Sequence, residues 1–408
     1  MAKGKQGWMA LVRLGIGLLV LLFVVRTVPW VDQLHWTDAA GVATTVEGEI
    51  EGDWKAETVV FRLGDEASVP DALPETFQAA LSAGEPITVA RAAPVLEGEV
   101  TLGSFAWDPG MPTAFSGMDR GLLLQATLML LASFLVVVTR WWRLLAISGC
   151  PTSWFNALRL TFIGMFFNLV VPGLTGGDVI KAVVVASENP QRRTAAMVSV
   201  IVDRILGMGS LALIAGVVIL ASGSAFAELR LGIFGLLLAG LVGTLIYANP
   251  GLRKKISDSK LIDRLPLASK LRKIDDAAMV YLRHPIELTV AVLLSLANHA
   301  VIILAVFFLG LAIGVDREVV TLVDYFVIVP VANIVSSIPL APGGWGVGEY
   351  IYGSLFEIVG AAATLGVAVS IVFRLIQLGF GLVGGLFLLL PGAREAVRQA
   401  EADVQTGS

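Results

Sequence analysis

The chain has 408 residues, 56 % of them hydrophobic and 15 % charged, with a mean hydropathy of +0.80. This excludes an ordinary soluble globular domain and points to a polytopic membrane protein with polar segments between its spans. A single cysteine, Cys150, excludes an intramolecular disulfide and a cysteine metal cluster, and His35, His284 and His299 lack metal-ligand spacing.

Residues 9–28, MALVRLGIGLLVLLFVVRTV, form the first apolar run, with Lys3, Lys5 and Arg13 before or within it. No small-x-small cleavage site follows, so it reads as a transmembrane anchor rather than a cleaved signal. Trp30 and Trp36 lie near its exit, where indole rings favour the interface. Residues 31–118 hold 15 Asp/Glu against three Lys/Arg. Short strand-like runs such as TTVEGEI and ETVVFRL, punctuated by Gly and Pro, predict a small β-rich soluble domain there. Its acidic face reads as a solvated surface, with a protein partner left open.

The spans follow. Residues 121–139 cross and end at the basic RWWRLL. Residues 154–187 are apolar but broken at NLVVPGLTGGDVIKA, residues 168–182. Residues 195–221 and 232–248 are predicted spans. Residues 249–285 form a polar loop with nine Lys/Arg and four Asp/Glu, which places it in the cytoplasm. Residues 286–311 cross again. Residues 323–360 contain a second break, SSIPLAPGGWGVGEYI at 336–351, and 365–390 form the last span. The expected domains are an anchor at 1–30, an acidic extracytoplasmic domain at 31–118, a transmembrane domain at 119–392 and a tail at 393–408. Both termini are expected in the cytoplasm and the protein in the cytoplasmic membrane.

The fold class is therefore all-α and polytopic, with the β-rich domain inserted after the first helix. Each half reads as span, broken re-entrant hairpin, span, and the charge map gives the halves opposite orientation. Inverted repeats with interrupted helices at corresponding positions point to a transport site near the midplane. Asp178 precedes Arg204 by 26 residues, and Glu349 precedes Arg374 by 25. Pro172, Gly176, Gly177 and, in the second half, Pro342, Gly343 and Gly344 disrupt helical hydrogen bonding. In lipid such a break persists only when buried in protein or lining a wet cavity.

Several readings stay open at these residues. Asp178 and Glu349 suit helix N-terminal capping, or competition with an anionic substrate for the same amides. Arg204 and Arg374, deep in spans, require an anionic partner. Either each pairs structurally with its acid, or it exchanges the carboxylate for a lipid phosphate, which the planar guanidinium binds bidentately. Asp203, beside Arg204, can join that pair as a triad. Lys181 can add a contact or snorkel to the membrane face. Asn168 and Asn298 suit freed backbone groups first and substrate second. Arg140, Arg143 and Arg159 read as topology and interface charges, and His299 as a packed, hydrogen-bonded residue, with a proton-linked role as the alternative.

FFNLVVPGLTGGDVIKA, the VDR at 202–204, IPLAPGGWGVGE and VFRLIQLGFGLVGG resemble the lysylphosphatidylglycerol synthase transmembrane, or flippase-like, family over roughly residues 120–392. The family's motif residues fall here on Asn168, Pro172, Gly176, Gly177, Asp178, Arg204, Pro342, Gly343, Gly344, Glu349 and Arg374. Lys181 stands where the resemblance leads one to expect arginine. The resemblance implies movement of a phospholipid across the membrane. No acyltransferase-sized segment follows residue 392, so synthase activity is not expected of this chain. The partners expected are a phospholipid or polyprenyl-phosphate-linked lipid and the membrane, with no nucleic acid, cofactor or metal. No GxxxxGK[ST] motif is present. The alternatives are a scaffold acting through the outer domain and a membrane-embedded transferase using Asp178 or Glu349.

Overall fold

The computed structural model describes residues 30–91, 93–97, 100–170, 176–221, 226–251, 253, 268–337 and 345–387, with Leu22 and Arg26. The tail at 393–408, and all of the anchor run at 9–28 except those two residues, lie outside the described residues.

The N-terminal domain is a six-stranded antiparallel sheet in the order β4-β3-β2-β1-β6-β5. Its strands are β1 (Asp32–Asp38), β2 (Ala43–Glu51), β3 (Thr58–Leu63), β4 (Ile87–Ala90), β5 (Pro94–Glu97) and β6 (Val100–Asp108). Period-two alternation sets its faces. Along β2, Val46, Gly48 and Ile50 point inward while Glu47, Glu49 and Glu51 face out, so much of the domain's acidity is solvated. Leu34, Trp36, Phe61, Phe105 and Trp107 fill the core. Helix α1 (Glu75–Ser82) packs on it through Phe77, whose ring meets Phe105 at 5.0 Å. Buried Asp32 accepts hydrogen bonds from the backbone N–H of Ile50 at 2.7 Å and of Gly110 at 2.6 Å. It thereby joins the sheet to the short helix α2 (Met111–Ser116).

The remaining helices are α3 (Arg120–Ile147), α4 (Trp154–Val170), α5 (Gly176–Glu188), α6 (Arg193–Ala221), α7 (Leu229–Ala248), α8 (Ala268–Leu282), α9 (Pro285–Ile313), α10 (Leu322–Ser336), α11 (Val347–Ile358) and α12 (Ala363–Phe387). Five of them, α3, α6, α7, α9 and α12, are long and apolar enough to cross a membrane. Helices α4, α5, α10 and α11 have 17, 13, 15 and 12 residues. At 1.5 Å per residue they rise about 18–26 Å, less than a hydrocarbon core of about 30 Å.

Three expectations need correction. Trp36 does not lie at the membrane interface but is buried in the core of the β domain, on β1, because the alternation of that strand turns it inward. Helix α3 does not stop near residue 139 but runs to Ile147, carrying Arg140 and Trp141 inside the bundle. The loop expected at 249–285 contains helix α8, whose buried Tyr281 donates its hydroxyl to the carbonyl of Leu144.

Helices α3 and α9 run antiparallel. At one end the Asp119 N–H donates to Ala312 O at 2.8 Å; at the other Arg143 meets Glu287 at 2.6 Å. The β domain sits at the first end, where Lys55 Nζ donates to Gly117 O and lies beside Gly314, the left-handed cap of α9. At the opposite end the start of α4 is tied to the end of α5. Asn156 Nδ2 donates to Glu188 Oε2 at 2.8 Å, and Arg159 pairs with Glu188 Oε1 at 3.0 Å.

Candidate functional site: a charged cavity between the helical hairpins

The first hairpin builds one wall. Helix α5 starts at Gly176, and its early amides have no intrahelical acceptor. Asn168, near the end of α4, accepts from the Gly177 N–H at 2.8 Å. Gly177 must be glycine, because a Cβ there would collide with the Gly164 carbonyl and the Asn168 side chain. Asn168 is thus the cap, while Asp178 turns to α6 and meets Arg204 at 2.5 Å. One turn along α5, Lys181 is buried, with Nζ 3.6 Å from the centroid of the Trp141 ring.

The second hairpin builds the facing wall differently. Gly346 adopts φ +82° ahead of α11, a conformation that favours glycine. Its N–H donates to Glu349 Oε2 at 2.6 Å, so Glu349 reaches back as a cap. The other oxygen, Oε1, lies 2.6 Å from Arg374 Nε and accepts from the Ser370 hydroxyl at 3.3 Å. Glu349 therefore both caps and pairs. Arg374 also donates to Ser336 Oγ at 3.4 Å. The Gly348 position leaves room for its guanidinium.

A third pair was not expected. Arg140, read from the sequence as a topology charge, is buried: Nε meets Asp203 Oδ1 at 2.8 Å and Nη1 donates to Ser295 Oγ at 2.6 Å. Asp203 serves Arg140 and forms no triad with Arg204. Arg143 and Arg159 pair with Glu287 and Glu188 near helix ends, at partly exposed positions. His299 Nε2 lies 2.9 Å from Gly207 O, so that nitrogen carries the proton. The amide oxygen of buried Asn298 has no partner among the described residues.

These groups surround a cavity of about 410 Å³ whose walls include Asn168, Asp178, Lys181, Arg204 and Arg374 from the sequence reading, together with Arg140. Glu349 is not among its walls but stands behind Arg374. Pro172, Pro342, Gly343 and Gly344 lie outside the described residues. Three arginines here each face a carboxylate. Lys181 has no carboxylate within ion-pair distance among the described residues; its observed partner is the π-face of Trp141. Among the described residues, the cavity wall thus carries one basic side chain without a carboxylate in ion-pair contact.

A model of the lysylphosphatidylglycerol synthase TM region matches residues 102–385. The chain belongs to that family. A UPF0104 membrane protein from Pyrococcus horikoshii is 26 % identical over 298 residues, which cover 66 % of this chain and 87 % of the relative. No solved structure matches the chain. The lysylphosphatidylglycerol synthase TM region begins inside β6 and ends within α12. It takes in the described cavity walls and leaves most of the acidic sheet outside.

Proposed function

We propose that this protein moves a phosphate-bearing lipid between the leaflets of the cytoplasmic membrane, its head group held in the cavity and its tails left in the bilayer. The observation that carries this reading is Lys181, a buried lysine on the cavity wall with no carboxylate within ion-pair distance among the described residues. An anion entering there gains a charge partner and favours the charged ammonium. The guanidinium of Arg204 can then turn from Asp178 to phosphate, and Arg374 can add its Nη donors while its Nε stays on Glu349; planar donors bind phosphate well. The substrate is a phospholipid or a polyprenyl-phosphate-linked lipid. We read the protein as a transporter and not as an enzyme. Domain boundaries at residues 30, 118 and 392, with both termini cytoplasmic and residues 31–118 outside, complete the proposal.

An inverted repeat fits this reading. Helices α3 to α6 and α9 to α12 share the order long, short, short, long. Arg204 lies eleven residues into α6 and Arg374 eleven into α12, about 16 Å of rise in each case. The α4–α5 hairpin is tied at the end away from the β domain, whereas α10 starts beside that domain. The arginines then approach one depth from opposite faces.

The test is a leaflet-movement assay in proteoliposomes holding fluorescent phospholipids or polyprenyl-phosphate lipids. Movement by the native chain, with the label chemically unchanged, should fall at least tenfold in Lys181→Met and in Arg204→Ala/Arg374→Ala variants shown to fold. Equal movement in all three proteins removes these cations from the mechanism. Chemical conversion of the label replaces transport with catalysis.

A further inference from the structure

A second, apolar depression lies on the outer side of the same wall. It runs between α5 and α6, has a volume of about 340 Å³, and is formed by Val179, Val183, Met197, Ile201 and Ile205. Val179, Ile201 and Ile205 are at least half exposed although all three are aliphatic. Along α6 the groove extends from Met197 to Met208, about 16 Å of helix, the length of a substantial part of one hydrocarbon chain. Among the described residues only two charged ones line it, Asp178 and Arg204, and both also line the charged cavity. The two spaces are therefore neighbours across a wall of Asp178, Val200, Arg204 and Met208, in which the ion pair is the polar part.

Resting on the transport reading, we infer that this groove seats one hydrocarbon chain of the lipid, and that the Asp178–Arg204 pair is the lateral gate to the head-group cavity. The occupant follows from continuity and charge. A molecule that fills both spaces must be apolar where it touches Val179, Ile201 and Ile205, and anionic where it reaches Lys181. The gate is the weaker-held of the two hairpin pairs. Asp178 and Arg204 side chains are 30 % and 35 % exposed, against 1 % and 11 % for Glu349 and Arg374. A phosphate arriving from the groove meets Arg204 first and can displace Asp178 from it without uncovering a buried charge. Helix α7 offers the contrast. Its Leu236, Leu238 and Leu241 are also exposed, but no charged cavity adjoins them among the described pockets.

The experiment uses the full chain in phosphatidylcholine vesicles with increasing phosphatidylglycerol that carries a diazirine on one acyl chain. After photolysis, labelled residues are located by peptide mass spectrometry. Labelling of Val179 to Met208 should saturate and fall at least fivefold on addition of unlabelled phosphatidylglycerol. Labelling of α7 should rise linearly, as for bulk bilayer contact. Glycerol 3-phosphate, the head group without chains, should compete poorly. Ile201→Trp and Val179→Trp, which fill the groove from opposite walls, should each reduce the saturable labelling several-fold while their melting temperatures stay near native. Linear labelling of the groove, indistinguishable from α7, overturns the inference, as does full competition by glycerol 3-phosphate. A native chain that moves lipid with a linearly labelled groove loses the gate and keeps transport. Saturable labelling without lipid movement keeps the groove and removes transport.

Discussion

The two hairpin ion pairs look equivalent in sequence, yet truncating their acids should have very different costs. Glu349 is 1 % exposed and its partner Arg374 11 %. Replacing Glu349 with alanine leaves a buried guanidinium without its carboxylate, a change that costs about 3–5 kcal/mol. It also strips the cap from the Gly346 N–H. Asp178 and Arg204 are about one-third exposed, so Asp178→Ala should cost about 1 kcal/mol or less. The difference, about 3 kcal/mol, is roughly a hundredfold in the unfolding equilibrium. The assay is reversible unfolding in mixed micelles, titrated with dodecyl sulfate and followed by tryptophan fluorescence. Glu349→Leu/Arg374→Leu should recover part of the loss, because it removes the orphaned charge together with its partner. Equal destabilisation by Asp178→Ala and Glu349→Ala would refute the reasoning, since burial would then not decide the cost.

Asp203→Ala should also cost about 3–5 kcal/mol, because Arg140 is buried beside it; the same titration measures this. Lys181→Met should leave stability within about 1 kcal/mol of native, since no described ion pair is lost and the aliphatic stem is retained; its effect should appear in lipid movement instead. Gly346→Ala places a Cβ at φ +82° and should cost about 1–2 kcal/mol by thermal unfolding. Asp32→Ala removes the acceptor for two buried amides and should destabilise the β domain by about 3 kcal/mol, seen as loss of its strand signal at lower temperature.

The five spans from residue 120 onward were legible because long apolar runs have few soluble explanations, and helices α4 and α10 end at Val170 and Ser336, next to the Pro- and Gly-rich segments the sequence marks. The strand-like runs TTVEGEI and ETVVFRL, set off by Gly and Pro, fall on the strands at 43–51 and 58–63. Arg140 was misread because it follows a 19-residue apolar run and opens RWWR, the usual appearance of a charge at a membrane face. Its partner Asp203 lies 63 positions away, and no spacing rule within one helix connects them. The stacking of Lys181 on Trp141 leaves no mark in the sequence for the same reason: it joins α5 to α3 through packing alone. Glu349 posed capping and pairing as alternatives, but a carboxylate has two oxygens, and here each takes one role. Helix α8 was hidden by the charges that made its segment read as a loop.

Helix α12 touches both hairpins through glycine. Near its start, a Cβ at Gly366 would collide with the Tyr352 carbonyl of α11; near its end, one at Gly384 would collide with the Phe162 carbonyl of α4. Backbone rests against backbone at both places, and Arg374 lies between them. Packed interiors compress little, so a tilt of either hairpin must be taken up by this shared rod. Were both contacts kept during a tilt, the helix would act like the beam of a balance, carrying the guanidinium near its middle with it.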